Sequence, residues 1–162
     1  ADVDNDGLPE IGLAVGSAYY VLETDGSIKW QVQLEEDSGI TGSTVFDFDG
    51  DGSAEIAFRD NKHLFVFDGA KGDVLFKTPM SSITSYEYPV VADVDNDGNA
   101  EIITVADSFW AQTHNGIYVI GDLNDTWVST RKIWNQHSYH ITNVNDDGTI
   151  PRQEANSWQV YN

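Results

Sequence analysis

The chain has 162 residues, the usual length of one domain, and 40% of them are hydrophobic, which is enough for a real core. Its 8 Lys and Arg residues are outnumbered by 27 Asp and Glu residues, so the formal net charge is −19, which argues against binding to nucleic acid or anionic membranes. The absence of cysteine excludes disulfides and thiolate metal sites, and no apolar run approaches the ~20 residues that would insert into a membrane.

The first predicted element is an acidic, glycine-containing loop at residues 2–10, and short strands follow it. Apolar residues at 10–15 and 18–23 predict two strands, and a third strand is predicted at 27–34. The turn at 24–26 contains Asp-Gly, which is a strong hairpin signal between two apolar runs. The first repeat is therefore predicted to be an acidic loop followed by antiparallel strands.

The same order of elements returns in the second repeat. An Asp-Gly pair at 68–69 again predicts a hairpin turn between two strands. The predicted elements are a strand at 40–46, an acidic loop at 47–55, and strands at 55–59, 63–67 and 73–77.

The third repeat is longer, because residues 107–115 form a predicted surface insertion. Its predicted elements are a strand at 88–92, an acidic loop at 93–101, strands at 101–105 and 116–120, a turn at 124–125 and a strand at 127–134. No heptad or 3.6-residue pattern is sustained anywhere in the chain. The fold is therefore predicted to be all-β, in units of about four short antiparallel strands.

The three acidic loops share the pattern Asp-x-Asp-x-Asp-Gly-x-x-Glu-Ile, beginning at Asp2, Asp47 and Asp93. Calcium takes six to eight oxygen ligands, and a short loop supplies them when alternate side chains turn inward and a glycine permits the sharp bend. Magnesium is the weaker candidate, since it prefers strict octahedral geometry and retained waters. The alternative interpretation is that each loop is an acidic turn that binds no metal. Without a metal, however, three such loops would crowd aspartates together and destabilise the fold.

We therefore predict three Ca²⁺ sites with ligands at loop positions one, three, five, seven and nine. Position seven varies from copy to copy, which suits a backbone carbonyl ligand. The predicted ligands are Asp2, Asp4, Asp6, Leu8 and Glu10 in the first loop, Asp47, Asp49, Asp51, Ser53 and Glu55 in the second, and Asp93, Asp95, Asp97, Asn99 and Glu101 in the third.

A degraded fourth copy begins at residue 143, so the starts are 45, 46 and 50 residues apart. It has Pro151 at position nine, but it matches a longer loop pattern with an acid at position twelve. Two interpretations remain open, namely a weaker fourth calcium site and a hydrogen-bonded turn without an ion. The ligands of a fourth site would be Asn143, Asn145, Asp147, Thr149 and Glu154.

This arrangement resembles the FG-GAP/VCBS repeat family, the calcium-binding blades also found in integrin α-subunit propellers. The three acidic motifs, each followed by an aromatic strand and a turn, carry the resemblance over essentially the whole chain, although the literal Phe-Gly and Gly-Ala-Pro signature is absent. Residues 134–148 are similar to stretches in bacterial cell-surface FG-GAP proteins. The resemblance implies β-propeller-like blades, here about 3.5 repeats of about 46 residues.

So few repeats cannot close a propeller, and the first motif lacks the incoming strand that the second and third possess. Residues 1–162 are expected to form a single repeat domain, with repeats starting near 2, 47, 93 and 143. Two explanations remain open. The chain is part of a larger propeller, or subunits complete one another through open strand edges, in a ring or a filament.

Histidine and tryptophan offer further candidate sites. His137 and His140 have a His-x-x-His spacing, but in a strand this spacing points the two side chains to opposite faces, so a structural role is favoured over a metal site. His63 and His114 support no site. The tryptophans are interpreted as core residues between blades, with carbohydrate stacking as the alternative and Trp110 in the insertion as its best candidate.

The function predicted from these features is a non-catalytic, calcium-binding repeat module of an extracellular or cell-surface protein, in adhesion or scaffolding. Its expected partners are protein or carbohydrate at a surface. The first alternative is a self-assembling structural subunit. The second is part of a polysaccharide lyase propeller, but eight Lys and Arg residues are few for holding an acidic sugar. Weak extracellular calcium sites work at roughly 10⁻⁴–10⁻³ M, which favours an exported protein.

Overall fold

Three antiparallel sheets follow one another along the chain in the computed structural model, which describes residues 1–109 and 115–160. Within these ranges there is no α-helix, and a 3-10 turn at Ser157–Gln159 follows the last sheet. The strands of the first sheet are β1 (Ile11–Val15), β2 (Ala18–Leu22) and β3 (Ile28–Gln33). Those of the second are β4 (Thr44–Phe46), β5 (Glu55–Arg59), β6 (His63–Asp68) and β7 (Val74–Pro79). Those of the third are β8 (Val90–Ala92), β9 (Glu101–Ala106) and β10 (Gly116–Ile120).

Each sheet is a simple meander in which consecutive strands pair. The first and second sheets share a detail of register, since a bulge falls between Val21 and Leu22 in one and between Val66 and Phe67 in the other. A bulge at the same place in two sheets increases the local twist of both in the same way. The sheets are therefore copies of one structural unit, as the sequence repeat predicts.

The second sheet is buried on both faces, and this explains why its two central strands are apolar almost without alternation. On one face, Phe58 and Phe67 pack against Tyr19 and Trp30 of the first sheet. The Trp30 indole also donates a hydrogen bond of 2.7 Å to the Gly69 carbonyl, which joins the two sheets at their edge. Each fully buried aromatic side chain contributes on the order of 1.5–3 kcal/mol.

The other face of the second sheet packs against the third sheet. Leu64 and Val66 form one side of this core, and Val91 and Ile102 form the other. Arg59 lies in the same layer with no exposed surface. The sheets are thus stacked face to face in chain order, and the second sheet is the middle layer.

The outer faces of the two end sheets remain apolar and accessible to solvent. The first sheet exposes Ile11 and Val15 on the face that points away from the second sheet, and the third sheet exposes Val105, Ile117 and Val119. Both faces therefore resemble the buried faces of the middle sheet in composition, but no described residue packs over them to the same extent.

The all-β prediction is confirmed, and most strands lie within one or two residues of the predicted ranges. Three differences are clear. The strands predicted at 40–46 and 88–92 are shortened to β4 and β8, and residues 127–134 form no strand at all. Among residues 1–109 and 115–160, therefore, only the second sheet has the predicted four strands. Among the described residues the sheets do not close into a ring, so propeller blades remain a prediction.

Two further predictions concern particular regions. Trp110 and His114, from the predicted insertion, lie outside the described residues. A search of the described residues for a helix long and apolar enough to cross a membrane finds none.

Candidate metal centres

The three acidic loops occupy equivalent places in the fold. The first precedes β1, the second connects β4 to β5, and the third connects β8 to β9. In each loop the glycine at position six has a positive φ, of 90° at Gly7, 93° at Gly52 and 100° at Gly98. A residue with a side chain is strained in this conformation, which explains why glycine is present in all three copies.

Position four of each loop is also left-handed, a feature that the sequence analysis missed. The φ angles are 61° at Asn5, 75° at Gly50 and 71° at Asn96. The signal was present in the sequence, because asparagine and glycine are the residues that adopt this conformation most easily. Two left-handed residues separated by one residue curl each loop so that the side chains at positions one and three turn inward.

The first aspartate of each loop organises the backbone. Asp2 accepts hydrogen bonds from the amides of Asp6 and Gly7, and Asp47 accepts from Gly50, Asp51 and Gly52. In the third loop the corresponding acceptor is Asp93, at 2.7 Å from the Asn96 amide nitrogen. These bonds hold the first carboxylate of each loop at its centre.

Carboxylate oxygens from three side chains of each loop come within 4.8 Å of one another. Position one and position three belong to the group in every loop, and the third member is position five in the first loop and position nine in the other two. The groups are Asp2, Asp4 and Asp6; Asp47, Asp49 and Glu55; and Asp93, Asp95 and Glu101. The predicted ligands Glu10, Asp51 and Asp97 lie in the same loops but outside these groups.

The glutamate at position nine is buried in all three loops and has the same hydrogen bond in each. One oxygen of Glu10, Glu55 and Glu101 accepts the amide of the residue at loop position two, at 2.7, 2.8 and 2.9 Å respectively. The other oxygen of Glu10 is buried without a hydrogen-bond partner. A buried carboxylate oxygen without a partner is costly, and a metal ion at the centre of the loop would satisfy it.

Burial among neighbouring carboxylates disfavours the ionised form of these glutamates, and their pKa values are raised. Burial, and then the neighbouring aspartates, raises the pKa of Glu55 to about 7 and raises the pKa of Glu10 and Glu101 above the ordinary value. A divalent cation would reverse this effect, because it favours the ionised carboxylates. The donor set is made of oxygens alone, which fits calcium.

Two lysines contact the acidic clusters, and the sequence analysis did not identify them. The Lys29 ammonium of β3 bonds to Asp4 at 2.5 Å and to Glu23 at 2.8 Å. The Lys132 ammonium lies 3.5 Å from Asp93 and also donates to Asn96. These cations partly neutralise the first and third loops. No sequence signal marked them, because both come from outside the motifs.

The residues at position seven of the three loops were predicted to offer their carbonyl oxygens. The structure places their amides within hydrogen-bond distance of the aspartate at position five, with Leu8, Ser53 and Asn99 donating at 2.8, 2.7 and 2.8 Å. This bond closes a tight turn after position five. Ligation by the carbonyls remains a prediction.

The fourth loop has a different organisation. Asn143 directs its side-chain amide to the Ser138 carbonyl at 2.7 Å, and Glu154 bonds to His140 and Thr142. Asn145 and Asp147 both bond to Thr149. The predicted ligands are thus engaged with the protein itself, and this loop is absent from the carboxylate groups found among the described residues. The arrangement favours the hydrogen-bonded turn over a fourth calcium site.

Comparisons with known proteins agree with this architecture. Residues 2–58 match the family described as FG-GAP-like repeat. No curated protein sequence matches the chain. The crystal structure of the V. cholerae biofilm matrix protein Bap1 is similar, with a TM-score of 0.78 and 32% sequence identity over 91% of this chain. The chain spans about a quarter of that protein, since the match covers 26% of its length. The predicted resemblance is confirmed, and the chain contains an FG-GAP-like repeat at residues 2–58.

Proposed function

We propose that the chain is a calcium-stabilised, non-catalytic repeat domain of an extracellular matrix or cell-surface protein, acting in adhesion or scaffolding. The observation that carries the proposal is that each of the three acidic loops gathers two aspartates with a third carboxylate and has a buried glutamate at position nine. The similarity to a biofilm matrix protein supports the extracellular setting. The domain is proposed to be part of a larger propeller or assembly.

The mechanism is structural. Each ion would neutralise a carboxylate cluster and fix the loop that leads into β1, β5 or β9. The second loop, for example, connects β4 to β5, so an ion there would hold together two neighbouring strands of the middle sheet. Since the unfolded chain does not assemble the cluster, binding would stabilise the folded state by mass action.

Calcium titration of the chelator-treated protein by calorimetry tests the proposal. We expect three sites, and the substitutions Asp4→Asn, Asp49→Asn and Asp95→Asn should each weaken one site and leave the other two unchanged. Asp25→Asn is the matched control, because Asp25 is an exposed turn residue that bonds to Ser27 and lies outside the acidic loops. Equal effects of Asp49→Asn and Asp25→Asn would refute binding at the second loop.

The absence of catalysis is part of the proposal, and a polysaccharide lyase is the enzyme to test against it. A lyase needs a basic residue to abstract a proton and cations to hold the acidic sugar. Two of the eight Lys and Arg residues, Lys29 and Lys132, are already engaged with the acidic loops. Release of unsaturated products from uronic-acid polysaccharides, followed by absorbance, would contradict a non-catalytic role.

A second candidate function is self-assembly through the apolar outer faces of the end sheets. Ile117, which is 74% exposed, and Val119 lie on one such face, and Ile11 and Val15 lie on the other. Head-to-tail contact of these unlike faces would build a ring or a filament. Light scattering over a range of concentrations tests this candidate. Mass should rise with concentration for the wild type, and Ile117→Lys should abolish the rise.

A further inference from the structure

A cleft of about 830 Å³ lies between the middle of the fold and the C-terminal segment that follows the last sheet. Its floor includes β4 and Val91 of β8, and its opposite wall comes from residues 129–141 together with Trp158. The volume is in the range of about 300–1,000 Å³ that is typical of sites for small ligands. Asp2 and Asp47, the first aspartates of two acidic loops, also belong to its lining.

The wall of the cleft carries a continuous row of aromatic rings. The Tyr88 and Trp134 rings are 6.5 Å apart between centroids, and Trp134 is 4.5 Å from Tyr139. His137 lies edge-on to Tyr88 at 5.2 Å, and its Nδ1 atom is 3.3 Å from the tyrosine hydroxyl. Tyr88, Trp134 and Tyr139 are only partly buried, so ring surface remains accessible from the cleft.

This row of rings is held in place although it belongs to no strand. Arg131 donates to the carbonyls of Ile141 and Val144 at 2.9 and 2.7 Å, and its guanidinium lies 5.9 Å from the centre of the Tyr139 ring. Asn143 adds a bond to the Ser138 carbonyl. The fourth loop, which departs from the calcium pattern, therefore serves to fix the aromatic wall. A preorganised wall loses little conformational entropy when a ligand binds.

Chemistry at the rim limits the class of ligand. Hydroxyl groups of Ser129 and Thr130 line the cleft, as does that of Ser43, which bonds to the Tyr19 hydroxyl at 2.6 Å. The net charge of −19 and the two aspartates of the lining disfavour any polyanion. Partly exposed aromatic faces beside hydroxyl groups suit a ligand with both apolar and hydroxyl-bearing surfaces, and sugar rings have both.

We propose that this cleft binds an uncharged oligosaccharide, which stacks on Trp134 and Tyr139 and bonds to the hydroxyl groups at the rim. The inference rests on the proposed function for its extracellular setting. It also gives a role to residues 134–148, which take no part in the three candidate metal centres.

Titration of the full chain with linear neutral hexasaccharides of glucose, mannose, xylose and N-acetylglucosamine tests the proposal. Tryptophan fluorescence is a suitable signal because Trp134 and Trp158 line the cleft. We expect at least one sugar to bind with a Kd below about 1 mM. Trp134→Ala should weaken this binding at least tenfold, and Trp134→Phe should retain part of it. Tyr86→Ala, which removes a 73% exposed ring outside the cleft, should leave it unchanged.

Three results would overturn the inference. They are a lack of binding by all four sugars, equal losses in Trp134→Ala and Tyr86→Ala, and binding at the cleft by a tryptophan-rich peptide in place of the sugars. Melting curves of both variants verify that they are folded. Calcium stoichiometry measured on the same samples separates the two proposals, since three calcium sites without sugar binding refute the cleft alone, and sugar binding without calcium sites refutes the metal centres alone.

Discussion

At the scale of single residues, the acidic loops balance repulsion among carboxylates against a few positive charges. Lys29 contacts Asp4 of the first loop, and Lys132 contacts Asp93 of the third loop. An ammonium group that bonds to a carboxylate of an acidic loop occupies part of the place that the proposed metal ion would take. These lysines therefore stabilise the acidic loops and would oppose the proposed calcium binding.

We predict that Lys29→Met raises the calcium affinity of the first loop about fivefold, because the loss of a competing charge contributes on the order of 1 kcal/mol. The same change should lower the melting temperature in chelator, since Asp4 and Glu23 then lose their partner. Calorimetry and thermal melting check the two effects. The control is Lys62→Met, which breaks an exposed pair with Glu35 away from the loops. A lower affinity in Lys29→Met would contradict the prediction.

A second residue-scale prediction concerns pH. The ordinary pKa of glutamate is 4.5, and burial together with nearby aspartates raises the pKa of Glu55 to about 7 in the folded, metal-free chain. Between these values the folded state binds more protons than the unfolded state. The free energy of unfolding should therefore fall as the pH rises from 4.5 to about 7. Burial shifts Glu10 and Glu101 in the same direction.

Urea unfolding in chelator at several pH values measures this slope. Glu55→Gln should reduce it, because the amide does not titrate, and saturating calcium should remove it, because the ion favours the ionised glutamates. Carboxylates with lowered pKa values, such as Asp68 and Glu87, act in the opposite direction, but only in the lower part of this window, near their ordinary values of 3.8 and 4.5. A free energy of unfolding that rises across the window would refute the assignment.

Residue spacing predicts which carboxylates gather in each loop, since the motif fixes both the turn and the alternation of side chains. The structure brings together three of the four predicted carboxylates of each motif, and it leaves out Glu10 in the first loop and the aspartate at position five in the other two. The spacing does not reveal Lys29 or Lys132, because each contacts its loop from a different part of the chain. For the fourth copy, the sequence left two interpretations open, and only the hydrogen bonds of Asn143 and Glu154 favour one.

At the scale of strands and sheets, one buried cation connects the second sheet to the third. Arg59 of β5 donates to the Thr104 hydroxyl of β9 at 3.2 Å and to the Ser81 carbonyl at 3.0 Å. Its desolvation lowers its pKa, and the nearby carboxylates of Glu87 and Asp107 act in the opposite direction. The apolar core between these sheets is therefore interrupted by a polar contact with a defined geometry.

We predict that Arg59→Met destabilises the chain by about 2–4 kcal/mol, because it removes the charge that faces Glu87 and Asp107 together with the buried hydrogen bonds to Thr104 and Ser81. Chemical unfolding in calcium measures the change. Arg152→Met is the matched control, since Arg152 is exposed, and it should change stability by less than about 0.5 kcal/mol. Equal stability of the two variants would show that the buried pairings contribute nothing net.

Strand positions were predictable where turn residues bound an apolar run on both sides, as in β5 and β6. The predicted strand at 127–134 failed for a physical reason. Trp127 packs on Phe48 at 4.6 Å between ring centroids, and the Val128 amide donates to the Phe48 carbonyl at 2.9 Å. These residues therefore cover the second loop and do not pair with β10. An apolar pattern specifies that residues are buried, but it does not specify against which partner.

At the scale of the whole molecule, repulsion among the negative charges disfavours the stacking of the sheets. Stacking brings the first two acidic loops close together, since a side chain added at Gly52 would come within 3.0 Å of the Asn5 amide. A chain with a net charge of −19 repels itself in the compact state. Three calcium ions would reduce this repulsion where it is concentrated, whereas monovalent salt would only screen it.

We therefore predict that chelation lowers the melting temperature most strongly at low ionic strength. Each calcium site contributes about 2.7 kcal/mol when free calcium is 100-fold above its Kd, which for a chain of this size is roughly 5–10 °C. Sodium chloride should restore only part of the loss. A triple variant, Asp4→Asn with Asp49→Asn and Asp95→Asn, serves as the control and should melt at the same temperature in calcium and in chelator. If chelation leaves the wild-type melting temperature unchanged at low ionic strength, calcium does not stabilise this fold, and the acidic loops must be held by their hydrogen bonds and lysines alone.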